Sequence, residues 1–109
     1  MPVAGFNDYL SQNPELARSP IRATIEFARL RDPRALTTTV REEAPVAEHP
    51  PTVRVVLTED GLPDDSIRAI RYVLDYERTG NRWRLESARR LQRCQPGRGH
   101  QRFSPAPCQ

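Results

Sequence analysis

The sequence predicts an α+β two-layer domain: an N-terminal helix packed on a four-stranded antiparallel meander, with a disulfide-tied C-terminal tail. Three observations predict it. One stretch near residue 20 carries apolar residues at helical spacing. Four stretches after residue 35 alternate with period two and are separated by turn residues. Both cysteines, Cys94 and Cys108, bracket a tail rich in glycine and proline.

A length of 109 residues fits a single domain, 1–109, with one modest core. Residues 1–18 read as an irregular N-terminal segment, 19–94 as the helix and sheet core, and 95–109 as a Cys-bounded loop. Proline is abundant, at 11, and gathers toward the ends and in residues 45–51. The N-terminal segment mixes helix and breaker signals. Asn13, Pro14 and Glu15 look like a helix start, but only one turn follows before Pro20.

"SPIRATIEFARLRDP" is the strongest helix. Ser19 suits the N-cap and Pro20 the first helical position. Ile21, Thr24, Ile25 and Ala28 form the expected apolar stripe, widened by Phe27 and Leu30. Arg31 complements the dipole at the C-terminal end, and Pro33 stops the helix by Asp32.

"ALTTTVREE" from Ala35 is β-branched and reads as the first strand, followed by a proline-rich connection. "TVRVVLTE" places Val53, Val55 and Leu57 on one face. "TEDGLPDD" reads as an acidic loop with Glu59, Asp60, Asp64 and Asp65, and its spacing fits no EF-hand. "SIRAIRYVLDYER" places Ile70, Tyr72, Leu74 and Tyr76 on one face, and Arg71, Asp75 and Glu77 on the other. After "RTGN" the chain returns as "RWRLESARRLQRC". Charge favours Glu77 opposite Arg82, Asp75 opposite Arg84, Tyr76 opposite Trp83 and Leu74 opposite Leu85. A bulge near Ser87–Arg89 restores the phase. A helix followed by a four-stranded meander is similar in outline to the cystatin fold. The cystatin inhibitory signatures, Gln-x-Val-x-Gly and a Pro-Trp pair, are absent, so the likeness implies topology and no activity.

All 17 basic residues are arginine. GC-rich coding explains that without selection for anion binding. Residues 1–65 carry seven arginines against eleven acids, and residues 66–109 carry ten against three. A basic half suits nucleic acid, an acidic polymer or the chain's own acidic half. Arg71, Arg82, Arg84, Arg89, Arg90 and Arg93 make an arginine face. Nucleic-acid sheets interleave exposed aromatics with such charges, whereas here the strand aromatics point to the core. A nucleic-acid partner is therefore the lesser expectation and an anionic ligand or a protein the greater. No apolar run approaches the ~20 residues of a membrane helix.

Two cysteines closing a loop of 15 residues suit a disulfide. By the chain-entropy argument it is worth about 3 kcal/mol. The metal alternative uses Cys94, His100 and Cys108 with His49, but the chain has no Cys-x-x-Cys pair. No Asn or Asp marks a Cys–His nucleophile in the tail. "PGRGH" offers two readings. Gly97 and Gly99 either shape a cradle of backbone N–H groups for an anion, helped by Arg98, Arg102, His100, Arg90 and Arg93, or simply let the loop turn. Glycine pairs commonly do the latter. No catalytic triad, carboxylate pair, nucleotide fingerprint or other cofactor motif stands out.

Trp83–Leu85, Arg93–Cys94, Gly97–Gln101, Phe103–Ser104 and Cys108 together resemble a group of short bacterial proteins of no established activity. The resemblance covers roughly the last 45 residues. It implies export and supports the disulfide, and it transfers no catalytic residue. The expectation is a small periplasmic or secreted binding domain that is not an enzyme, with its export signal outside this chain: "MPVAGFNDYL" has neither a basic start nor an apolar middle.

Overall fold

The computed structural model of the chain describes residues 3–31, 35–45 and 48–109. Its elements run α1 (Val3–Ser11), a 3₁₀ turn (Leu16–Arg18), α2 (Pro20–Arg29), β1 (Thr37–Glu43), β2 (Thr52–Asp60), β3 (Ile67–Thr79) and β4 (Arg82–Cys94). The strands form one antiparallel sheet in the order β1-β2-β3-β4. Both helices pack on one face of it, α1 mainly on β4 and α2 mainly on β2.

The alternation places the core as expected. Val53, Val55, Leu57, Tyr72, Leu74, Tyr76, Trp83 and Leu85 are buried under the helices, with Ile70 packed at their margin. Tyr76 is fully enclosed, and its hydroxyl shares a 2.8 Å hydrogen bond with Thr24, which also reaches the Pro20 carbonyl. Burial pushes the Tyr76 hydroxyl well above its ordinary range.

Residues 3–11 are helical, where the sequence predicts an irregular segment. Phe6 and Leu10, four apart, are buried on one face. Phe6 meets Phe27 edge to face at 5.0 Å. Tertiary burial therefore sustains a nine-residue helix that is marginal in isolation. Asn13 does not open the next turn as a cap. Its side chain instead donates to the Tyr9 carbonyl and closes α1.

In α2 the Ser19 hydroxyl accepts from Arg22 N–H at 3.2 Å, as expected of a cap. The buried stripe is rotated from the predicted one. Pro20, Ala23, Thr24, Phe27 and Ala28 face the core, while Ile25 is 46% exposed. The neighbouring α1 and 3₁₀ turn select this face, because Phe27 must reach both Phe6 and Tyr72. Arg31 donates to the Phe27 carbonyl and lies over the Phe27 ring. The predicted stop at Asp32–Pro33 lies outside the described residues.

Glu26 ties the two helices. Its carboxylate accepts from Tyr9 on α1 and from Arg29 on its own helix. The Arg29 bonds, then the Tyr9 bond, hold its carboxyl down at about 2 against an ordinary 4.5. A depressed carboxyl stabilises the fold above its unfolded value and loses that contribution as pH falls from 4.5 toward about 2. In urea unfolding, Glu26→Gln is expected to be less stable than wild type at neutral pH, with the difference shrinking through that window. A difference that stays constant down to the lower end would contradict the linkage.

The β3–β4 register is shifted by two residues from the one that charge favours. Glu77 faces Arg84, Tyr76 faces Leu85, Arg78 faces Trp83 and Thr79 faces Arg82. A two-residue loop, Gly80–Asn81, sets this register. Gly80 has φ 65°, the left-handed conformation wanted at the first loop position of a type II′ hairpin. A shift of two keeps the side chains from Arg82 to Leu85 on their predicted faces, so charge pairing identifies the faces there and turn geometry chooses the register. The bulge falls at Glu86, between the pairs Asp75–Ser87 and Tyr76–Leu85, just before its predicted place.

The outer edge of β4 is covered twice. Asn7 of α1 donates to the Leu85 carbonyl and accepts from the Leu85 N–H, at 2.9 and 2.8 Å. Farther along, Ser104 of the tail pairs with Gln92 through two backbone hydrogen bonds. The opposite edge, β1, carries exposed Arg41, Glu42 and Glu43, which discourage strand addition.

Candidate functional site

Cys94 ends β4, fully buried and bonded to Cys108; there is no free cysteine. The chain turns at Gly97 (φ 80°), where Arg98 N–H donates to the Gln95 carbonyl. It comes back so that Cys94 N–H donates to the His100 carbonyl at 3.0 Å. Gly99 has φ 138°, and a Cβ there would stand 2.9 Å from the Cys94 sulfur. The two glycines therefore serve the turn and the close approach to the disulfide.

His100 clamps the tail. Nδ1 lies 2.8 Å from the Arg102 carbonyl and Nε2 2.9 Å from the Ala106 carbonyl. Both ring nitrogens thus point inward to the tail backbone, where the sequence offers His100 as a donor to an external anion. Gln92 Nε2 also donates to the Ala106 carbonyl, and Gln109 N–H to the Arg98 carbonyl. Arg98 and Arg102 are exposed on the tail surface.

The predicted arginine residues divide between the two sides of the sheet. Arg90 faces Tyr72 in the β3–β4 ladder, so it lies on the helix side and not on the outward arginine face. Beside it is Glu59, which the sequence reads both as the end of the second strand and as part of the acidic loop; the structure places it within β2, 4% exposed. Burial raises the Glu59 carboxyl, and the Arg90 charge offsets part of that rise. Asp64 remains in the loop and accepts from Ser66 and Ile67 N–H groups.

Arg71, Arg89 and Arg93 lie on the outward face, opposite Leu91, Val73 and Ala69 respectively. One end of this face is neutralised: Arg54 forks onto Asp75 at 2.7 and 3.3 Å, Ser87 donates to the same carboxylate, and Arg84 pairs with Glu86. Arg71, Arg89 and Arg93 make no ion pair among the described residues. Burial, then the neighbouring Arg41 and Arg93 charges, push the Arg71 guanidinium below its ordinary value. The buried Nε of Arg93 has no hydrogen-bond partner.

Phe103 comes to this cluster from the tail. The Arg71 and Arg93 guanidiniums lie 4.0 and 4.5 Å from its ring centroid. Sequence reasoning kept every strand aromatic off the arginine face and overlooked this one, which no strand carries. The usable signal was the cysteine pair: a tail bonded back to the end of β4 must run along that strand, and Phe103 precedes Ser104, the residue that pairs with it.

Among the described residues, Cys94, His100 and Cys108 form a group whose ligand-type atoms lie within 4.8 Å of one another; His49 is not part of it. No helix among the described residues is long and apolar enough to cross a membrane. Fold and site together define a disulfide-stapled α+β domain with an aromatic-capped arginine cluster. No protein-family model, curated protein or solved structure matches the chain.

Proposed function

We propose that this is an exported, non-catalytic binding domain that takes an anionic polymer or acidic protein surface on the Arg71–Arg89–Arg93 face, at the border of the Cys94–Cys108 tail. One observation carries the reading. Two guanidiniums are gathered on Phe103 with no acid opposite them, although the same sheet face pairs its charges farther along. An external anion supplies the missing counter-charge to these guanidiniums. Arg98 and Arg102 on the adjoining tail extend the field. Disulfides persist in oxidising compartments, which supports a periplasmic or secreted location.

A cytoplasmic nucleic-acid binder is the second reading, and Phe103 on a basic face speaks for it. Its ring already carries two guanidiniums, which favours a sulfate-, carboxylate- or phosphate-bearing chain over stacked bases. A Cys–His hydrolytic site needs a thiolate, and both sulfurs are held in the disulfide.

Heparin and single-stranded DNA at low salt test both readings. The expected result is retention on heparin that weakens steeply with salt. Arg71→Gln with Arg93→Gln should reduce the salt slope by roughly one per contact removed. Arg22→Gln with Arg29→Gln, on the far helix, should leave retention unchanged. No retention of wild type at low salt, or equal loss from both pairs, would overturn the proposed surface. Tighter binding to DNA than to heparin would favour the second reading.

A further inference from the structure

We propose that the tail, once its disulfide is reduced, becomes a Cys2His site for a borderline metal ion of the Zn²⁺ class, with Cys94, Cys108 and His100 as ligands. The inference is independent of the arginine face. It starts from the convergence of two sulfurs and an imidazole nitrogen within 4.8 Å. Thiolate and imidazole are the donors that Zn²⁺ and its analogues prefer, and three protein ligands leave one position open for water or a further ligand.

The sulfur–sulfur bond is not all that gathers these residues. Cys94 N–H is bonded to the His100 carbonyl, and Gln109 N–H, next to Cys108, is bonded to the Arg98 carbonyl. The Gln92–Ser104 pair holds the middle of the tail to β4. None of these contacts involves the sulfurs, so they can hold the two thiols beside the ring once the bond is reduced. Gly99 leaves the space next to the Cys94 sulfur free of a side chain.

The neutral imidazole of His100, the form that ligates a metal, cannot donate to both of its neighbouring carbonyls. Both ring nitrogens face carbonyl oxygens, Arg102 on one side and Ala106 on the other. A neutral imidazole has one N–H, so it satisfies only one of them. The other nitrogen presents a lone pair to an oxygen and gains no hydrogen bond there. Turning that nitrogen to a metal, while the remaining N–H stays on its carbonyl, produces the outer-shell arrangement usual for metal-bound histidine.

A dithiol or phosphine reductant supplies two electrons, and two protons come from solvent or the dithiol; the S–S bond breaks and two thiols form. A divalent ion then displaces both thiol protons and accepts electron pairs from two thiolates and one imidazole nitrogen. The bound centre is formally neutral. Oxidation releases the metal and restores the disulfide, so the two states exclude each other.

The test uses the full chain, reduced with a phosphine and titrated with Co²⁺. One equivalent should produce thiolate-to-cobalt charge-transfer absorption, and Zn²⁺ should abolish it. The oxidised protein should show none. His100→Gln should weaken binding by about tenfold or more, whereas His49→Gln should not. Ring-nitrogen NMR of the reduced wild type supplies a readout that needs no variant: Zn²⁺ should shift the His100 nitrogens and leave those of His49 in place. No cobalt–thiolate band on reduction, unchanged affinity in His100→Gln, or an unshifted His100 ring would each overturn the proposal.

Discussion

Breaking the Cys94–Cys108 bond is expected to lower stability by about 3 kcal/mol, the chain-entropy value for a loop of about 15 residues. In a domain of this size that is a fall in Tm on the order of 10–20 °C. The paired serine variant, Cys94→Ser with Cys108→Ser, should match the reduced wild type or fall below it when both are measured with a metal chelator present. The structure shows what is lost. The sulfurs fasten a segment that otherwise rests on the Gln92–Ser104 pair, the His100 clamp and the Phe103 stack. Cys94 is fully buried, so the serine hydroxyl there adds a desolvation cost that reduction alone does not. The paired variant should therefore be at least as destabilised as the reduced protein. A Tm indifferent to reductant would show that the bond stabilises nothing.

Phe6→Ala is expected to cost about 3–5 kcal/mol, the range for deleting a buried aromatic side chain. Phe6 is fully buried and begins an aromatic series that links α1 to the sheet. Its ring meets Phe27 at 5.0 Å, and Phe27 meets Tyr72 at 5.7 Å, both edge to face. Losing the ring leaves a cavity between α1 and α2 and loosens Asn7, whose amide completes the Leu85 backbone hydrogen bonds. Ala4 on the exposed side of the same helix is the control, and Ala4→Ser should stay within about 0.5 kcal/mol. Chemical denaturation of both variants settles the matter. A cost below about 1 kcal/mol for Phe6→Ala would mean that the N-terminal segment lies outside the cooperative core.

Much of the sheet was legible in the sequence. Period-two alternation over Thr52–Glu77 depends only on which side chains avoid water, so Val53, Val55, Leu57, Tyr72, Leu74 and Tyr76 could be sorted by face before any register was known. The bounds of β4 matched to the residue. The site was less legible. The arginine side chains were visible as a group, but not that Arg90 turns to the helix side, because the bulge at Glu86 changes the phase of the rest of β4. Glu59 read both as the end of a strand and as part of an acidic loop, because its burial depends on what stands across the sheet.

By itself the sequence determined the α+β class, the strand order, the two sheet faces, the Ser19 cap and the pairing of the only two cysteines. These rest on local rules: side-chain periodicity, turn residues and the arithmetic of cysteine. The tertiary structure decided the α1 helix, the buried stripe of α2, the final β3–β4 register and the meeting of Phe103 with Arg71 and Arg93. Each of these depends on contact between residues distant in the chain, or on a backbone turn whose geometry outweighs surface charge. Such contacts leave no periodic trace in the segments they join.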